Sequence, residues 1–174
     1  MNLIGLAWLI QLVTPHMRQN GSGRIVNVSS IGGRAAAPFG GWYHATKYAV
    51  EGLSDALRLE LKPFGIDVAI IEPGAIDTEW GDIAIRNLLE KSGTGAYRAA
   101  VQSQAAMLER AFQHALSPQV IADAIVHTAT TARPKIRYVA PTRMAVQFFI
   151  KRFLSDRTVD RIAMGRSAGN ENGK

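Results

Sequence analysis

Three observations in the sequence predict an α/β domain built on a parallel sheet. The runs RIVNVSS at 24–30, DVAIIEP at 67–73 and IRYVA at 136–140 read as short strands, each followed closely by glycine or proline. Stretches of helical periodicity separate them, and parallel neighbours need crossovers of that length. The first two runs are nearly continuous in apolar residues, the pattern of strands covered on both faces.

The opening run MNLIGLAWLIQLV has no basic start and no small-residue cleavage site, and it is too short to span a bilayer. Its Leu3, Leu6, Leu9, Ile10 and Val13 recur at helical spacing, which predicts a buried helix over 2–18, ended by NGSG. The strand 24–30 comes next. A second helix is predicted over 42–62, with Val50, Leu53, Leu57 and Leu61 on one stripe and Pro63 and Gly65 closing it. After the strand 67–73, residues 79–114 are rich in Ala and Gln and read as helical pieces broken at SGTG. Ser117 as cap and Pro118 in the first turn start another helix. Beyond the strand 136–140, RMAVQFFIKRFLSDR sets Phe148, Phe149, Ile150, Phe153 and Leu154 beside Arg143, Lys151, Arg152 and Arg157, a basic amphipathic helix.

With 174 residues, 47% of them hydrophobic, the chain can bury one core and reads as one domain. Its parts are a main body over 1–140 and a basic helix with a flexible end over 141–174, the flexibility expected around SAGNENGK. The absence of cysteine excludes disulfides, thiolate metal sites and thiol nucleophiles, and is compatible with a reducing, cytoplasmic setting. Residues 1–132 hold 10 basic and 11 acidic side chains, and residues 133–174 hold 10 basic and 3 acidic. The net +6 therefore belongs to the tail. With no reader motif and no stacking platform beside that charge, nucleic-acid binding ranks low. The basic helix fits either an anionic membrane surface or docking near a substrate entrance, and the second is favoured. The four histidines, His16, His44, His114 and His127, have spacings that suit no metal site and read as surface or packing groups, so no metal is expected.

In parallel sheets ligands gather at the carboxyl ends of strands, where Ser30 and the Pro73-Gly74 turn fall. In GGWYHATKYA, Tyr43 and Lys47 are one helical turn apart and share a face. An ammonium beside a phenol favours the phenolate, so the spacing predicts a Tyr43 pKa lowered from about 10 and a general acid or base. Ser30 can donate to the same substrate oxygen, and the small residues of IGGRAAAPFGG let the loop fold over the site. Taken alone, such a pair is more often a half-buried tyrosine beside a solvated lysine. Glu79 and Asp82, one turn apart, read as acidic residues at a helix start, and Asn27 as a satisfied polar group in the sheet.

GRIVNVSS, YHATK and EPGAIDT occur in order and at consistent spacings, and together they resemble the short-chain dehydrogenase/reductase family, closest in style to its retinol and hydroxysteroid branch. The resemblance covers residues 1 to about 140. It implies a partial doubly wound, Rossmann-like sheet and an oxidoreductase that interconverts an alcohol and a ketone or aldehyde by hydride transfer with NAD or NADP. It makes Tyr43 the general acid or base, gives Lys47 the tuning of that tyrosine and the nicotinamide ribose hydroxyls, and has Ser30 polarise the substrate oxygen. Asn2 matches the family's helix asparagine in the proton relay, and Pro73, Gly74, Ile76 and Thr78 match the stretch lining the nicotinamide. The helices at 2–18 and 42–62 correspond to those that commonly pair the family's subunits, which implies a homo-oligomer.

The sequence lacks the family's glycine-rich phosphate turn and NAG stretch, since GSGRIV and GTGAYR do not fit G-x-G-x-x-G between a strand and a helix. It therefore corresponds to the family's carboxyl-terminal half, without the dinucleotide-gripping half, and an unpaired apolar sheet edge is expected. A catalytically silent binding or assembly module is the alternative to an enzyme. Trp80, Ile83, Ile85, Leu88, Leu89, Met107, Leu108 and Phe112 make 79–114 apolar. That segment either lines a site for a small hydrophobic alcohol or carbonyl compound or simply packs on the domain.

Overall fold

The fold follows from one strand covered on every side. In a computed structural model, which describes residues 3–168, three parallel strands β1 (Gly23–Val28), β2 (Ile66–Pro73) and β3 (Arg137–Ala140) form a sheet in the order β1-β2-β3. Gly23 pairs with Ile66 and Val28 with Ile71 on one side, and Ile70 pairs with Arg137 and Pro73 with Ala140 on the other. Val68 to Glu72 are buried without interruption, as expected of a central strand with helices on both faces. Among the described residues, β1 has no second neighbour along its outer edge.

The helices are α1 (Ile4–Gln19), α2 (Gly41–Leu61), α3 (Glu79–Ser92), α4 (Arg98–Gln113), α5 (Pro118–Thr130), α6 (Arg143–Lys151) and α7 (Asp156–Ala168). Ile10 of α1 and Leu61 of α2 meet Ile25, Ile66 and Val68 in one cluster, with Leu6, Met17 and Leu57 at its border. Arg24 points to the opposite face. Its guanidinium donates to the carbonyls of Thr128, Ala129 and Thr131, so one side chain satisfies the end of α5 and answers the negative pole of that helix. Ser117 caps α5 through the Gln119 N–H, with Pro118 opening the helix as its sequence predicts.

Gly65 ends the α2 unit at φ 70°, and a Cβ there would strike the Gly21 carbonyl. Only glycine lets the α2 exit pass the α1 exit at that distance.

Three expectations need correction. The helix at the start is amphipathic rather than buried: only Ile10 is buried in α1, while Ile4, Trp8, Leu9 and Leu12 are exposed, because the sheet reaches one side of the helix alone. The strand expected over 24–30 stops at Val28, since the chain turns into a short 3₁₀ helix at Ile31–Gly33 that Ser30 caps from its own side chain. The single basic tail helix is two helices, interrupted between Lys151 and Asp156, and the second extends to Ala168. No helix among the described residues is long and apolar enough to cross a membrane.

Candidate active site

The β1 carboxyl end, the loop 31–40 and the start of α2 enclose a cavity of about 400 Å³. Ser30, Tyr43 and Gly74 lie in its wall, and Trp80, Leu88, Leu108 and Phe112 from α3 and α4 supply its apolar side. Of the eight apolar residues named in segment 79–114, these four line the cavity. Ile83 and Leu89 point to solvent.

Ser30 is buried and fixed from two directions: its Oγ accepts from the Gly32 N–H at 3.0 Å and donates to the Pro73 carbonyl at 3.3 Å. The same hydroxyl is a hydrogen-bond partner of the Tyr43 phenol. Tyr43 is held from the side by Trp80, whose ring centre is 5.3 Å away, and Trp80 rests in turn on Phe112 at 6.0 Å.

Lys47, one turn along α2, carries its ammonium 6.0 Å from the centre of the Tyr43 ring. Its Nζ donates to the Val28 carbonyl at 3.2 Å. Burial holds the Lys47 amine below its ordinary pKa, with the Glu51 carboxylate opposing that shift. The Tyr43 phenol departs from the sequence expectation. Burial pushes it above its ordinary value, and the Ser30 hydrogen bond offsets this only in part. The ammonium is directed at a backbone carbonyl rather than at the phenol oxygen, so the cost of burying a phenolate dominates.

Pro73 and Gly74 sit beside Ser30 as expected, and the Gly74 N–H donates to Ala140 at 2.7 Å. Ile76 and Thr78 do not line the cavity. Ile76 forms a parallel bridge with Leu116, and Thr78 precedes α3 without capping it. Asn2 lies outside the described residues. Glu79 and Asp82 stand in the first turn of α3, and Asn27 donates to the buried Ser54 hydroxyl at 2.9 Å, both as read from the sequence.

Sequence reasoning missed His44. Its Nε2 accepts from the Ala37 N–H at 3.0 Å, so the ring proton sits on Nδ1, which donates to the Gly32 carbonyl at 2.9 Å. One imidazole thus spans the loop that forms the cavity wall. A Cβ on Gly32 or Gly40 would press against this ring, and the paired glycines around YHATK were the signal for it. Also missed was an ion network under the site. Glu72, with 0% exposure, lies 3.0 Å from Arg137 Nε and 3.5 Å from Arg34 Nη1, and Arg137 also meets Glu51 and Asp55. Arg34 stacks on Phe148 of α6, and its carbonyl accepts from Lys151 at 2.5 Å. The basic helix therefore docks against the cavity wall.

Residues 1–86 match the family model described as short chain dehydrogenase. A probable short-chain type dehydrogenase/reductase, VdlC, of Helicobacter pylori is 36% identical over 138 residues, covering 79% of this chain and 50% of that protein. Among solved structures, a short-chain dehydrogenase from Streptomyces avermitilis matches 98% of this chain and 60% of its own at 29% identity and a TM-score of 0.67. A short chain dehydrogenase/reductase from Burkholderia phymatum, solved in complex with NAD, superposes at a TM-score of 0.68 and 20% identity, a likeness of fold. The chain spans about half the length of the curated relatives it matches.

Proposed function

Since the chain belongs to the short-chain dehydrogenase/reductase family, we propose that it carries the proton-transfer site of an NAD(P)-dependent oxidoreductase that interconverts an alcohol and a ketone or aldehyde. The observation behind this reading is the meeting of Ser30 and Tyr43 in the wall of one apolar cavity, with Lys47 a turn behind.

Ser30, held by the Gly32 N–H, turns its single O–H from the Pro73 carbonyl to the substrate oxygen. Tyr43 stands beside it with its phenol protonated at neutral pH, because burial raises its pKa. The site is thereby poised to give a proton to a carbonyl oxygen as negative charge develops there. In the opposite direction it must first accept one. The largely apolar wall lowers the local polarity, which strengthens both hydrogen bonds.

The donor set fits a nicotinamide dinucleotide. Lys47 spends one of three N–H donors on Val28, leaving two for vicinal ribose hydroxyls. Gly74 lets the end of β2 pass close to Pro141 and the Ala140 carbonyl, where a Cβ would crowd both, and so fixes the turn beside Ser30. Pro73, Gly74, Ile76 and Thr78 form the segment we assign to the dinucleotide. When bound, the dinucleotide supplies or takes the hydride.

Titration of the purified chain with NADH and NADPH, followed by nicotinamide fluorescence, tests this reading against a Tyr43→Phe, Lys47→Ala double variant. Saturable binding weakened by the variant supports it. A folded chain that binds neither dinucleotide overturns it as an autonomous site.

A second reading, an assembly module, is favoured by one observation: Trp8 and Leu12 of α1 and Trp42 and Leu59 of α2 are exposed, Trp42 at 90%. Such side chains suit pairing with a second copy. Sedimentation of the wild type against Leu12→Lys decides it, because a charged residue in that face should shift the chain toward monomer.

A further inference from the structure

A second cavity of about 390 Å³ adjoins the first. The two share six wall residues, Ala35, Ala37, Pro38, Gln104, Met144 and Phe148, so they are neighbours across one neck. Beyond the neck the wall is drawn from α4, α6 and α7, with Met107, Ile150, Leu154, Val159 and Ile162. It is mainly apolar, with Gln147 and Lys151 as polar wall residues, and the Lys151 ammonium is held by the Arg34 carbonyl. Gln104 stands at the junction: it is 4% exposed, and among the described residues its Oε1 has no hydrogen-bond partner. That oxygen is shielded in this conformation, so a ligand reaches it by turning the amide into the junction.

We infer that the two cavities form one elongated substrate site. The reacting carbonyl or hydroxyl lies at Ser30 and Tyr43, an unbranched apolar chain passes the neck into the second cavity, and a hydroxyl or N–H on that chain donates to Gln104. The substrate class is a long-chain amphiphilic ketone or alcohol with one hydrogen-bond donor partway along. This rests on the reading of the first cavity as the reacting end. The continuity of the walls identifies the occupant of the second cavity as the tail of the molecule whose head fills the first.

Calorimetric titration of the full chain with unbranched methyl ketones, from 2-hexanone to 2-dodecanone, tests the length of the site. Affinity should rise by up to about fourfold per methylene once the chain passes the neck. Val159→Phe, or Ile162→Phe should the first variant misfold, should flatten that rise while leaving 2-hexanone unaffected, and Val159→Ala should keep it. Affinity independent of length, a rise untouched by both plugs, or no ketone binding at all overturns the inference.

The donor is tested with 2-dodecanone carrying a hydroxyl at carbon 4, 5, 6 or 7. At least one position should bind about fivefold tighter or more, and Gln104→Leu should erase that gain. No gain at any position, or a gain that survives Gln104→Leu, overturns the role of Gln104. Failure of the oxidoreductase reading is separate: nicotinamide binding would be absent while ketone affinity still rose with chain length.

Discussion

Arg137 holds Glu72 by charge without a hydrogen bond. The two approach to 3.0 Å, yet the single Nε–H of Arg137 is directed at Glu51, 3.1 Å away, and among the described residues the other cation beside Glu72 is Arg34, at 3.5 Å. The carboxyl of Glu72 is pushed above its ordinary pKa, first by burial and then by the Glu51 charge, with Arg34 and Arg137 opposing. A raised folded-state value means that the contribution of Glu72 to stability is complete at low pH and is lost as pH rises through that value.

Arg137→Met should therefore destabilise the chain at neutral pH by about 3 kcal/mol, because it leaves a fully buried carboxylate with the more distant Arg34 cation. The deficit should shrink on acidification as Glu72 becomes protonated. Asp55 adds in the same sense. Burial works against its ionisation, but Arg137 and Arg58 together hold its carboxyl below the usual range, so the stability it contributes is present at neutral pH and lost in acid. Urea unfolding at pH 7 and at about pH 4 measures the difference, and an equal deficit at both would refute the account.

Ultraviolet difference titration of the wild type against Tyr43→Phe isolates one of the four phenols. Its midpoint should lie above the ordinary value for tyrosine, because burial outweighs the Ser30 hydrogen bond. Ser30→Ala removes the only opposing contribution and should raise it further. A midpoint that falls in Ser30→Ala would show that Ser30 does not favour the phenolate.

The imidazole of His44 ties Gly32 to Ala37 across the loop, and Arg34 lies between those anchors. His44→Ala removes both hydrogen bonds, each with a net contribution of about 1 kcal/mol. Trypsin should then cut after Arg34 up to roughly thirtyfold faster in native conditions, reflecting a larger open population. Unchanged cleavage would leave the imidazole without a role in holding the loop.

Gly33 packs where a Cβ would lie 2.7 Å from Ser29 Oγ and 3.0 Å from the Lys47 carbonyl. Since a backbone oxygen cannot turn away, Gly33→Ala should cost about 1–3 kcal/mol, whereas Gly52→Ala on the open side of α2 should not destabilise at all. Thermal unfolding of the pair distinguishes this crowding from a general effect of alanine.

What was legible in the sequence is what short spacing encodes. Tyr43 and Lys47 share a helix, Ser30 follows a strand, and β2 is visible in DVAIIEP because its burial is unbroken. The partners of those residues were hidden, since nothing local says that Glu72 will meet Arg137, or that Gln104 will stand between two cavities. The tyrosine's raised pKa was missed for a related reason. Proximity along a helix gave Lys47 the right face, but its ammonium was drawn to the Val28 carbonyl, and burial governed the phenol. Apolar residues at helical spacing in α1 suggested enclosure, although the periodicity of an amphipathic helix does not reveal how wide a stripe its neighbours will cover.

Because β2 lies between β1 and β3, both pairings among the described residues wait until residues 66–73 are available. During synthesis α1, β1 and α2 leave the ribosome before the strand that β1 pairs with in this sheet, and an apolar segment waiting for its partner is exposed to misassociation. Closing two long loops onto one central ribbon also makes the sheet a late, cooperative event. A pause in translation just after Pro73 would shorten the vulnerable interval, whereas one just before Ile66 would prolong it.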